Sequence, residues 1–198
     1  MTKTDFPYNT SVVSAKQFET HTSLYGRYID KANEIAARLS ENAAQLHSGA
    51  NAIYSPYRAL KKEQAFAVNS AVLHELYFEN MSRPGSAPGD STVRLLTAGF
   101  GSLAEWRADF TACAMAARGW CITSFSQRQT AAINNLLDAH DIGFMALSFP
   151  LIALDMYEHA YFMDDGADKA AYIARFLDGI DWDIVEARAW AVESALSE

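Results

Sequence analysis

Two long stretches of helical periodicity, joined by one short turn-rich connection, constrain this chain more than any other feature. From Ala15 to about Leu46 the sequence KQFETHTSLYGRYIDKANEIAARLSENAAQL sets Phe18, His21, Tyr25, Tyr28, Ala32, Ile35 and Leu39 near one face. SGANAIYSP follows, and Pro56 suits the entrance to a second helix running from about Tyr57 to Asn80. Two long helices with so short a link pack antiparallel, so an N-terminal α-hairpin is expected. On the second helix Ala67, Ala71, His74 and Phe78 share the inward face.

The segment SRPGSAPGDS, Ser82 to Ser91, is rich in Pro, Gly and Ser and divides the chain. It suggests an N-terminal domain over 1–86 and a C-terminal domain over 87–198. In the second part Ser102 with Glu105 forms a capping box ahead of the helix LAEWRADFTACAMAA, which Gly119 is expected to end. WCITSF, TAAINNLL and FMALSFPLIAL are short apolar runs between polar connections and read as three strands of a small antiparallel sheet. DKAAYIARFLDG and a run from DWDIVEARAW read as closing helices. The expected class is α+β: a helical hairpin followed by a three-stranded antiparallel sheet surrounded by helices.

Composition narrows the function classes. At 198 residues and 50% hydrophobic, the chain can bury a sizeable core. No run approaches the ~20 apolar residues of a membrane span, and the start, MTKTDFPYNTSVVSAKQF, lacks a signal-peptide pattern, so a cytoplasmic location is expected. A net charge of −8 without a Lys/Arg cluster argues against nucleic acid as a partner. No GxGxxG, GxxxxGK[ST] or GxSxG motif is present. Cys113 and Cys121 lack CxxC spacing and read as two reduced, inert thiols.

Against this background the stretch LDMYEHAYF stands out. Asp155, Glu158 and His159 fall within five positions among apolar and aromatic residues, where charges rarely sit unpaired. His21 and His74 each lie on the apolar face of one hairpin helix and can approach across the interface. A single such histidine is more often a core residue. Two facing ones, with Asp155 and His159 available from the other half, favour a metal. Three imidazoles and a carboxylate suit Fe, Mn, Co or Zn and not Ca, Mg or Cu(I). The third histidine argues against a non-haem iron oxygenase, which uses two histidines and a carboxylate.

LDMYEHAYF, with the downstream IDWDIVEAR, closely resembles the metal-binding signature of the iron/manganese superoxide dismutases, D-x-[aromatic]-E-H-A-[aromatic]. HELYFEN, HTSLYGRYIDKANEI and GFGSLAEWRADFTACAMAARGW are similar to further segments of that family, so the resemblance runs from about Phe6 to Trp190. It implies one Fe or Mn ion per subunit, lying between the two domains and held by His21, His74, Asp155 and His159, with a fifth position for solvent. It implies dismutation of superoxide to oxygen and hydrogen peroxide, an antioxidant role, and a homodimer or tetramer in which Glu158 reaches the partner subunit's ligand histidine. Tyr28 would stand at the mouth of the substrate channel and Trp120 would wall the pocket.

The sequence also departs from the family pattern. A glutamine usually faces the bound solvent; of its two usual places, one holds Ser70 and the other, in LLDAHDIG, holds His140. His140 is therefore expected as the outer donor. His21 to Tyr28 is seven residues, one fewer than in many members, yet that spacing leaves the two about 20° apart on a helix. A histidine–tyrosine pair common at the family's dimer interface falls at Leu24 or Tyr25 and at Phe162, so that hydrogen bond is expected to be absent. An altered outer shell admits an alternative, a metal-binding homologue with little or no turnover.

Overall fold

The computed structural model describes residues 1–83 and 86–196. Pro84 and Gly85, inside the expected domain boundary, lie outside the described residues. α1 spans Ala15–Glu41 and α3 Pro56–Asn80, packed against each other as the hairpin. Ser14 and Ser55 cap them, each hydroxyl accepting a backbone amide of the first turn, from Gln17 and Arg58. Pro56 occupies the first turn of α3, where no amide donor is needed. The first helix is shorter than its periodicity suggests. It stops at Asn42, and a separate short helix, α2 over Ala43–Ser48, carries the exposed His47.

Past the boundary an additional helix, α4 over Asp90–Phe100, precedes α5 over Leu103–Ala116. No side chain next to α4 in sequence caps it. Glu186, near the other end of the chain, does so by accepting from the Ser91 amide at 3.0 Å, the Thr92 amide at 2.8 Å and the Thr92 hydroxyl at 2.7 Å. Gly89 allows this approach, because a β-carbon there would stand 2.4 Å from the Glu186 carboxyl carbon. α5 starts on the Ser102 cap and ends at Ala116, before Gly119. Gly119 instead admits a close backbone contact, donating to the Leu137 carbonyl at 3.0 Å.

β1 (Trp120–Ser126), β2 (Ala131–Leu137) and β3 (Ser148–Asp155) form one antiparallel sheet in the order β2-β1-β3. Central β1 is buried along its whole length, which is why it reads as a continuous apolar run instead of an alternation. A short turn, Glu158–Ala160, leads to α6 (Phe162–Asp165), α7 (Lys169–Asp178) and α8 (Trp182–Leu196).

A single apolar cluster joins the hairpin to the sheet: Tyr25, Leu73, Tyr77 and Phe78 pack with Phe110, Trp120, Leu154 and Phe176. Side chains of this size each contribute about 1.5–3 kcal/mol when fully buried. Asn80, at the end of α3, fixes the junction: its side-chain oxygen accepts from the Ala153 amide of β3 at 2.9 Å and its carbonyl from the Asp181 amide at 2.7 Å. These contacts hold the middle of α1, the end of α3 and the end of β3 against one another. Among the described residues no helix is long and apolar enough to cross a membrane.

Candidate metal centre

His21 and His74 point inward from α1 and α3, Asp155 is the last residue of β3, and His159 sits on the turn that follows. One donor atom from each of the four lies within 4.8 Å of all the others. The Asp155 Oδ2 is 3.1 Å from His21 Nε2, 3.2 Å from His159 Nε2 and 3.6 Å from His74 Nε2. Asp155, His21 and His74 are buried and His159 is half-buried. β3 delivers Asp155 at its end, and the turn returns His159 to the same point with the Tyr157 amide donating to Asp155 Oδ1 at 2.9 Å.

One hydrogen bond shows what this cluster requires. His74 Nδ1 faces the Ser70 carbonyl at 2.6 Å, and a carbonyl only accepts, which assigns the proton to Nδ1. Nε2 is then a bare lone pair aimed at a carboxylate oxygen, and it is buried without a hydrogen-bond partner among the described residues. Two acceptors facing each other in a desolvated site need a cation between them. Electrostatics agree. Burial drives His74 down to about 3 and also lowers His21, so neither imidazole supplies that charge near neutral pH. Burial pushes the Asp155 carboxyl upward, but hydrogen bonds from His159 and His21 outweigh it and hold the group ionised, well below the usual carboxylate range. A neutral-imidazole and carboxylate set of this kind suits a first-row transition metal such as Fe, Mn, Co or Zn.

A second layer orients the donors. Ser70 fixes His74, and its own hydroxyl donates to the Phe66 carbonyl at 2.7 Å. The Gln17 amide donates to the His159 carbonyl. Tyr172 donates to the Asp155 carbonyl at 3.0 Å and lies the same distance from the Tyr77 hydroxyl. Such contacts set ligand orientation and basicity.

A profile described as iron/manganese superoxide dismutases, C-terminal domain, matches residues 88–188. The chain is 36% identical to the iron superoxide dismutase of Aquifex pyrophilus over 184 residues, 92% of this chain and 86% of the relative. The chain belongs to the iron/manganese superoxide dismutase family. An iron superoxide dismutase of Cupriavidus metallidurans is 34% identical over 83% of this chain and 82% of its own. A manganese superoxide dismutase of Halobacterium salinarum is 36% identical over 57% of this chain and 56% of its own. The family's members thus include proteins named for each metal.

Around the donors the remaining site residues divide. Trp120 opens β1, with its ring 5.2 Å from His74, and its indole donates to His140 Nδ1 at 2.9 Å. His140 is buried at the corner of a tight turn closed by the Ile142 amide on the Ala139 carbonyl, and its Nε2 lies 3.3 Å from the Tyr28 hydroxyl. Burial lowers His140 to about 4, so the ring is neutral, with its proton on Nε2 because Nδ1 accepts from Trp120. Burial, and then the Asp155 charge, raises the Tyr28 phenol. Glu158 is exposed, although its apolar neighbours in the sequence point to burial. Leu24 is half-buried, Phe162 is exposed, and buried Tyr25 donates to Glu75 at 2.7 Å.

Sequence reasoning missed Tyr157. Its ring stacks on His159 at 5.3 Å and 13° and stands 5.0 Å from His140, so it joins a donor to the outer layer. The aromatic position inside the signature was the available signal. Beyond Tyr28 and Phe66 a cleft of about 620 Å³ opens between the hairpin helices, with Lys31, Arg38, Glu34 and Glu63 on its walls.

Proposed function

We propose that this chain is a superoxide dismutase whose four donors hold one Fe or Mn ion per subunit, converting superoxide to oxygen and hydrogen peroxide as an antioxidant enzyme. The observation that carries this is the buried His74 Nε2 lone pair facing Asp155, within a family whose relatives are named for that activity. The metal, when bound, would relay one electron from one superoxide to a second by alternating between its trivalent and divalent states.

The chain's own residues position the ion and move protons. Ser70 and Asp155 fix the imidazole orientations. The cleft outside Tyr28 and Phe66 is the route for a small anion, with Lys31 and Arg38 each paired to Glu34 on its walls. Tyr28 is the gate. His140 Nε2–H donates to the Tyr28 oxygen, which leaves the Tyr28 hydroxyl proton free to turn into the site. The Trp120 indole keeps His140 in that tautomer. His140 thereby serves as the outer-layer residue that a glutamine fills in other members, acting through Tyr28.

Residues 1–86 and 87–198 act as two domains with the ion at their junction. The active unit is a cytoplasmic homodimer or tetramer, in which the exposed Glu158 reaches the partner subunit's ligand histidine. A sample loaded with Fe or with Mn and assayed for superoxide consumption, with metal content measured on the same sample, tests this reading. One equivalent of metal without turnover would instead support a metal-binding homologue, and no bound metal would remove both readings.

A further inference from the structure

A second group of reactive side chains lies on the opposite face of the sheet from the metal donors. Along a strand successive side chains alternate between faces. Trp120 turns toward His74 and His140, so Cys121 and Thr123 turn toward α5. There the Trp106 indole donates to the Thr123 hydroxyl at 2.9 Å, and the Cys121 thiol donates to the Phe110 carbonyl at 3.7 Å. Cys113 follows Phe110 by three residues and shares its helix face. Both thiols are free, and the Phe110 carbonyl that accepts from Cys121 lies one helical turn from Cys113. Cys113 is half-buried and reachable by small solutes, whereas Cys121 is buried. The chain reversal through Gly119 brings together two cysteines that sequence spacing leaves unrelated.

We infer that Cys113 and Cys121 form a dithiol site that hydrogen peroxide closes to a reversible intramolecular disulfide. Their environments assign different roles. Cys113, half-buried, is the thiol that peroxide reaches and is the nucleophile, its pKa drawn below the ordinary value by the neighbouring Cys121 thiol, while burial holds Cys121 well above its own. The Cys113 thiolate attacks one peroxide oxygen, forming an S–O bond as the O–O bond breaks, and the departing hydroxide takes a proton and leaves as water. The Cys121 sulfur then attacks the Cys113 sulfenic sulfur. The S–S bond forms, the S–O bond breaks, and the leaving hydroxide carries off the Cys121 proton as a second water. The pair gives up two electrons and the peroxide receives both. Dismutation would release this oxidant from the same molecule; that supply rests on the proposed function, whereas the thiol chemistry does not.

The test uses the reduced, metal-loaded full chain, exposed to hydrogen peroxide, denatured in N-ethylmaleimide and weighed intact. The expected result is replacement of the doubly alkylated species by an unalkylated monomeric chain lighter by two hydrogens than the reduced form, reversed by dithiothreitol. In Cys121→Ser, dimedone should label Cys113; in Cys113→Ser, Cys121 should stay unlabelled. Two maleimide adducts retained after peroxide, or Cys113 over-oxidised without the lighter chain, would overturn the inference. Dismutase activity is measured on the same sample. A chain that closes its disulfide yet consumes no superoxide keeps the dithiol site and counts only against the proposed activity.

Discussion

His140 Nε2 and the Tyr28 hydroxyl oxygen stand 3.3 Å apart, joining the turn after β2 to the middle of α1. The Trp120 indole holds the other nitrogen of the same ring at 2.9 Å. Both nitrogens of His140 are therefore committed, and its influence on the donor cluster runs through the phenol. His140→Gln can keep a donor toward Tyr28 but not the same acceptor geometry toward Trp120. The expected outcome is unchanged metal content with a shifted reduction potential and a changed ratio of Fe-supported to Mn-supported activity. His140→Ala should keep metal and lose most of the rate. Potentiometry and rates on both metal forms check this, and values unmoved in both variants would remove His140 from the mechanism.

His74→Ala removes the donor whose lone pair has no hydrogen-bond partner among the described residues. Metal content should fall to a small fraction of one equivalent and dismutation should vanish, with destabilisation of about 1–3 kcal/mol from the vacated space in the hairpin interface. Elemental analysis after dialysis, with urea unfolding, reads both effects. Full occupancy at a normal rate would exclude His74 from the donor set.

Glu158 is exposed one residue before the donor His159. With the proposed role across the subunit interface, Glu158→Ala should weaken association and lower metal affinity or activity about 10- to 100-fold. Sedimentation and metal titration test the two effects together. An unchanged oligomer with unchanged activity would confine Glu158 to the surface.

Glu186 provides the pH-dependent prediction. Burial tends to raise its pKa, but the hydrogen bonds from Thr92 and Ser91 outweigh it, and the folded value lies below the ordinary one. A depressed carboxyl contributes its full stabilisation above the unfolded pKa and loses it as pH falls through the folded value. Glu186→Gln should thus cost about 1 kcal/mol at neutral pH, the scale of a carboxylate at a helix N-terminus. The gap between variant and parent should close below about pH 4. Urea unfolding of both proteins at pH 7 and pH 3 measures it, and a gap independent of pH would show that the charge is not the stabilising element.

The hairpin, the three strands and the four donors were legible because each leaves a local mark: a 3.6-residue apolar period, a short apolar run, or a charged residue among apolar ones. α4 left none. Its N-terminus is completed by Glu186, so no capping residue beside it announces the helix. The stop at Asn42 was hidden because periodicity continues across it into α2. His140 could be nominated from the family pattern, but its partners Trp120 and Tyr28 come from two other elements and only the fold brings them together. Glu158 is exposed while Met156, Ala160 and Tyr161 beside it are buried, a disposition that its sequence surroundings alone do not reveal.

The donor set draws on positions 21, 74, 155 and 159, supplied by two helices, a strand end and a turn. No fragment of the chain during its synthesis holds more than two of these before the third strand is finished, and two imidazoles alone make a weak and poorly selective chelate. The site therefore comes into being late, after the hairpin has met the sheet. Metal selection is thus a property of the assembled tertiary structure and not of any one segment of the sequence.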